Sequence, residues 1–132
     1  MEREIEYCLV AAPNKAGESL IRLLEVKGIP YAALVNNETE EARMRRIGVK
    51  RICTVDTNAI DTWQVPDWPI GKVFLFEQSL PLCCRYIQVC RSWTSKPIYV
   101  ITQSPNPRAI YKGLGADYVI YSRQEEMSFL MR

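Results

Sequence analysis

The residues with chemical potential in this chain sit at the junctions between its apolar runs. Tyr7-Cys8-Leu9-Val10-Ala11-Ala12 is followed by Pro13-Asn14-Lys15-Ala16-Gly17, and an apolar-periodic segment begins at once. A turn of this kind at a helix start can receive a phosphate. Backbone N–H groups and the positive end of the helix dipole face the anion, and Lys15 adds charge. Dinucleotide-binding turns carry two or three glycines, because the backbone must approach a pyrophosphate with no Cβ in the way. Here only Gly17 is present, where such a helix packs on its strand. Ala11 and Asn14 bring Cβ atoms to the approach, and Pro13 has no N–H to donate. These residues suit a small ligand or a monophosphate better than an extended dinucleotide. Their other reading is a structural turn.

The remaining junctions are polar too: Asn36 and Asn37, then Asp56, Thr57 and Asn58, then Glu77, Gln78 and Ser79, then Gln103 and Ser104. Ligands of open parallel sheets bind beyond the carboxyl ends of the strands. The residues singled out as ligand-binding candidates are Asn14, Lys15, Gly17, Asn36, Asp56 and Glu77. Asn36 stands where a ribose-binding carboxylate would be, and its amide makes a weaker bond to a hydroxyl. Caps and turns produce the same polar strand ends without any ligand. Arg43, Arg45 and Arg46 could face a 2′-phosphate, but a charge run of this kind usually forms the solvated face of a helix.

Several chemistries are excluded. The chain has no histidine, which removes Ser–His and Cys–His catalysis and most transition-metal sites. It has no Tyr-x-x-x-Lys pair, no Walker A loop and no Gly-x-Ser-x-Gly elbow. No catalytic and no metal-ligating residue is assigned. The five cysteines (Cys8, Cys53, Cys83, Cys84 and Cys90) are odd in number and form no C-x-x-C pair, as in a reduced cytoplasmic protein. Cys83-Cys84 near a helix start could be redox-active, although Cys83 falls on an apolar stripe. The net charge of +2 does not argue for nucleic acid or a membrane surface. No apolar run approaches the ~20 residues of a membrane span, and the charged start is not a signal peptide.

The elements that must position these residues alternate. Strands are expected at 5–12, 31–35, 51–55, 72–76, 97–102 and 118–121. Helices are expected at 16–27, from an Asn37 cap with Glu40 closing a capping box to about residue 47, at 80–93 behind a Ser79 cap, and from an Asn106 cap with Pro107 in the first turn to about 113–115. Residues 58–63 read as a short helix or turn. Cys83, Tyr86, Ile87, Cys90 and Trp93 form one stripe of the third helix, with Arg85, Gln88 and Arg91 opposite. Trp63 and Trp68 lie in a proline-bearing loop, pinned to the core or free to stack on a ligand or partner. This order calls for an α/β fold over residues 1–132, a mostly parallel six-stranded sheet with helices on both faces.

Lys96-Pro97-Ile98-Tyr99-Val100-Ile101, followed by Ile110-Tyr111-Lys112-Gly113-Leu114-Gly115-Ala116-Asp117-Tyr118-Val119-Ile120, resembles the closing pattern of the RCK N-terminal (TrkA-N) domains. Val55-Asp56-Thr57 resembles the acidic residue that this family places after its third strand. The opening half is also similar to short NAD(P)-binding epimerase-like proteins. The resemblance implies a three-layer Rossmann-like unit, a regulatory role, and NAD(P) or an adenine nucleotide as ligand, with Asp56 at the adenosine. By position alone, Asp56 could equally cap the 58–63 segment. The tail 122–132 is charged and then apolar (Met127, Phe129, Leu130, Met131), with little sheet left to cover. It is expected to seal a homodimer, as the helix after the last strand does in RCK domains. The alternatives are an NAD(P)-dependent reductase and an interaction scaffold whose nucleotide site has decayed.

Overall fold

The central apolar runs become strands of one sheet that are buried on both faces, and the two edge strands are only partly covered. The computed structural model describes residues 5–59, 63–105, 107–123 and 127–131. The elements are β1 (Tyr7–Ala11), α1 (Lys15–Lys27), β2 (Tyr31–Val35), α2 (Glu38–Arg46), β3 (Ile52–Thr54), β4 (Ile70–Phe76), α3 (Leu80–Trp93), β5 (Ile98–Thr102), α4 (Arg108–Leu114), β6 (Tyr118–Tyr121) and a closing 3-10 turn (Ser128–Met131). The six strands run in the order β3-β2-β1-β4-β5-β6, every neighbouring pair parallel. Chain order therefore reverses between β1 and β4, the place where open α/β sheets hold ligands. Val10 sets the register there, lying opposite Ala33 on one side and Phe74 on the other.

Alternation along each strand divides the core in two. Leu9, Ala11, Leu75, Ile98 and Val100 face α3 and α4, meeting Ile87, Cys90 and Tyr111. Val10, Phe74, Phe76 and Ile101 face α1 and α2, meeting Leu20, Leu24 and Met44. The expected stripe of α3 is present, with Cys83, Tyr86, Ile87 and Cys90 buried.

Side-chain caps fix the helix starts. Asn14, in extended conformation, accepts the Gly17 N–H at 2.9 Å, so α1 begins at Lys15. Asn37 accepts the Glu40 N–H at 2.8 Å, but Glu40 does not complete a capping box, because its carboxylate is bonded to Arg43. Pro107 takes the N-cap position of α4. The expected cap at Asn106, residues 60–62 of the 58–63 segment, and residues 124–126 and 132 of the tail lie outside the described residues.

The tail has sheet to cover after all. Met127 is fully buried in the core between the sheet and α1, and Phe129, Leu130 and Met131 pack half-buried against it. Residues 127–131 thus add to the core on the α1–α2 face of the sheet.

Arg91, expected on the solvated face of α3, instead gathers the far side of the fold. It donates to the carbonyls of Thr94 (2.8 Å), Lys96 (2.7 Å) and Gly115 (2.9 Å) and to Asp117 Oδ2 (3.1 Å). The same carboxylate oxygen accepts the first N–H of β5, from Ile98, at 2.8 Å. Gly115 has φ +121, and a Cβ there would meet the Arg91 side chain at 2.7 Å. Leu-Gly-Ala-Asp is thus a junction in which a glycine clears space for an arginine and an aspartate starts a strand. Asp117→Ala is expected to cost about 2 kcal/mol, read by urea denaturation, because a part-buried amide and a guanidinium both lose a charged acceptor.

Candidate functional site

Gly17 sets the position of α1. A Cβ at residue 17 would lie 2.6 Å from Ala12 Cα and 2.7 Å from Ala12 Cβ. The helix therefore rests directly on the end of β1, and Asn14 takes the N–H groups of Gly17 and Glu18 in its first turn. Lys15, the first helical residue, is exposed.

The crevice at that point is closed. Its walls are Ala11, Ala12 and Pro13 from the end of β1, Asn36 from the end of β2, Glu40 and Arg43 from α2, and Gln78, Leu82 and Tyr86 beyond β4. The free space is ≈ 10 Å³, room for about one water. Arg43 closes it. Its guanidinium donates to the Ala12 carbonyl, to Glu18 of α1 and to both oxygens of Glu40, at 3.0 and 3.2 Å for the last. The helix-surface reading of Arg43 is corrected: the side chain turns inward and joins β1, α1 and α2. Arg45 does stay outside, in an i,i+4 pair with Glu41 at 3.3 Å. One cation among two carboxylates leaves no surplus positive charge for a 2′-phosphate.

Beside the crevice, between the ends of β4 and β5, a cleft of ≈ 330 Å³ is open. Glu77, Gln78, Ser79 and Leu80 line one side, and Ser104, Pro107 and Ile110 the other. That is within the size range of small-ligand sites. Glu77 is held in place from two directions: Thr102 Oγ1 donates to Oε1 at 2.7 Å, and the Tyr111 hydroxyl donates to Oε2. Burial and the bond to Glu77 hold the Tyr111 proton well above the usual phenol range. Each carboxylate oxygen keeps lone-pair capacity for a ligand donor. Leu80 and Ile110, both largely exposed, make apolar lips.

The candidates are thus distributed over several places. Asn36 lines the crevice and accepts the Asn37 side chain at 3.2 Å. Glu77 lines the open cleft, while Asn14 and Gly17 shape the turn. Asp56 is not among the residues around either space. Its Oδ1 accepts the Asn58 N–H at 2.9 Å and its carbonyl accepts Trp63 Nε1 at 2.8 Å. Trp63 and Trp68 pack on the core, and Trp68 lies edge-on to Tyr7 at 5.3 Å, so the loop is pinned. Sequence reasoning missed Tyr111 and Thr102. The available signal was a tyrosine on the inward side of the last helix and a threonine closing an apolar strand.

All five cysteines are free thiols. Burial pushes the Cys83 thiol up to about 12, against a bond from Tyr111 that lowers it. This is the reverse of an activated thiol. No group of three metal-ligating side chains occurs among the described residues, and no described helix is long and apolar enough to cross a membrane.

Two measurements follow from this geometry. Gly17→Ala should destabilise the protein by about 2 kcal/mol through overpacking against Ala12, seen as a lower urea midpoint. Iodoacetamide at pH 8 with peptide mapping should label half-exposed Cys84 first, and should reach Cys83 and Cys90 only under denaturant. A thiol near 12 is only about one part in ten thousand thiolate at that pH.

No family model matches the chain, and no curated protein matches it. Solved structures do share its fold. The NAD(P)-binding domain of an exopolyphosphatase-related protein from Archaeoglobus fulgidus aligns with a TM-score of 0.72 and 17% identity, over 98% of this chain and 96% of that one. The TrkA-N domain of the inner membrane protein ybaL from Escherichia coli aligns at 0.66 and 14%, over 99% and 97%. The GsuK RCK domain aligns at 0.68 and 15%, over 91% of this chain and 26% of that one. The chain thus spans about a quarter of the GsuK chain. GsuK structures bound to NAD and to ADP share the fold as well. The architecture is that of RCK and TrkA-N domains, a Rossmann-like α/β unit.

Proposed function

We propose that this protein is a non-catalytic, cytoplasmic ligand-sensing module that takes an adenine nucleotide or NAD(P) at the carboxyl ends of its central strands, with Arg43 as the gate. The observation that carries this reading is the pair of adjoining spaces that share Gln78, one open beside Glu77 and one closed by Arg43. A ligand occupying both needs Arg43 to leave the Ala12 carbonyl. The ligand therefore binds an opened arrangement better than the one described, and its differential affinity is the signal. The module acts as a homodimer, in which that shift changes how two copies meet. NAD and ADP enter the proposal because GsuK, of the same fold, binds each. The free thiols fit a reducing compartment.

The scaffold alternative is supported by the closure of the crevice itself. The reductase alternative finds no tyrosine or lysine among the described residues that line the open cleft, and Tyr111 is buried behind it on Glu77.

Thermal stability with NAD(H), NADP(H), ATP, ADP, AMP and cyclic dinucleotides separates these readings. A ligand at about 100 times its Kd should stabilise by about 2.7 kcal/mol, a shift of several degrees. Arg43→Ala should bind the same ligand roughly tenfold more tightly, since the closed state no longer competes. Silence from every ligand in both proteins would select the scaffold.

A further inference from the structure

We propose that the outer edge of β6 is where two copies of this chain meet, paired antiparallel about a two-fold axis. The inference rests on the dimeric reading above and names its surface.

The sheet ends in β3 on one side and β6 on the other. An edge strand presents unpaired N–H and C=O groups that invite another strand, and proteins that stay apart blunt such edges with charge, proline or brevity. The β3 edge is blunted. It is three residues long, it follows exposed Lys50 and Arg51, and Arg51 lies over the Tyr7 ring at 4.4 Å. The β6 edge is one residue longer, and its flanking charges, Asp117 and Arg123, are of opposite sign rather than a cationic pair. Tyr118-Val119-Ile120-Tyr121 contains no charge, no proline and no glycine, and no described strand pairs with its outer side.

Its side chains are also unfinished. Tyr118 and Tyr121 are 52% and 49% exposed and project to opposite faces of the strand. On one face, rings stack across the sheet from Phe74 to Tyr99 (5.0 Å) and from Tyr99 to Tyr118 (4.9 Å), and the stack stops at the edge. A strand laid beside β6 covers both tyrosines at once.

The charges select the occupant and its direction. Asp117 precedes β6 and Arg123 follows it. In an antiparallel two-fold pair, Asp117 of each copy lies alongside Arg123 of the other, giving two complementary contacts. A parallel pair would set like charges together. The Asp117 bonds to Arg91 and Ile98 both use Oδ2, and Arg123 rests over the Tyr121 ring at 5.9 Å, beside the strand it would bridge. A strand that complements itself in this way fits an isologous interface. The tail is committed to its own core and is a separate surface.

The test is sedimentation equilibrium of the full chain from roughly 1 µM to 1 mM, with Tyr118→Lys/Tyr121→Lys, Arg123→Glu and a chain lacking 127–131. Circular dichroism checks that each variant folds, and the substituted side chains are exposed enough to leave the core intact. The expected result is a wild-type dimer weakened at least about tenfold by the double lysine variant and severalfold by Arg123→Glu, with β6 amides that exchange more slowly as concentration rises. A wild-type chain monomeric throughout would overturn both this proposal and the dimeric reading. A dimer indifferent to the β6 variants but lost with residues 127–131 would overturn the edge and keep the dimer.

Discussion

The contact between Gly17 and Ala12 is the constraint on which the rest depends. A helix axis can come this near a strand only where one residue lacks a Cβ and its neighbour has nothing larger than a methyl. Once α1 is seated there, Asn14 is placed to cap it and Glu18 is aimed at α2. Arg43 can then reach Glu18 and the Ala12 carbonyl at the same time. Larger side chains at either position would lift α1 away and break up the polar cluster at the switch point.

This gives the turn two roles that a glycine-rich turn separates. The one surviving glycine serves helix–strand packing, and the positions that would admit a pyrophosphate carry Cβ atoms. The Ala12 carbonyl is occupied by a guanidinium belonging to the protein itself. The open space is displaced to the β4–β5 side, where Glu77 stands fixed by two hydroxyls. The crevice and the cleft adjoin at Gln78, and Arg43 forms part of the wall of the crevice.

The order of elements was legible because each apolar run is bounded by a residue with one job: Gly28 at a helix end, Asn14 and Asn37 at helix starts, prolines before β4 and β5. What failed did so for a common reason. Arg43 and Arg91 look like ordinary exposed cations from their helical positions, since their partners lie far along the chain, at Ala12 and Glu18 for one and at Gly115 and Asp117 for the other. Long side chains lie along apolar surface and choose acceptors by three-dimensional proximity. The packing of the tail on the core was hidden for a similar reason. Nothing local shows that residues 127–131 add to the core on the α1–α2 face of the sheet. Asp56 illustrates the ambiguity of polar strand ends, since it forms a turn as readily as it could meet a ribose.

The Arg91–Asp117 junction also bears on how the chain is made. Synthesis proceeds from the amino end, and the carboxylate that starts β5 and quiets Arg91 emerges after most of the sheet. Until then the first N–H of β5 lacks its carboxylate acceptor, and Arg91 has only the carbonyls of Thr94 and Lys96 to meet.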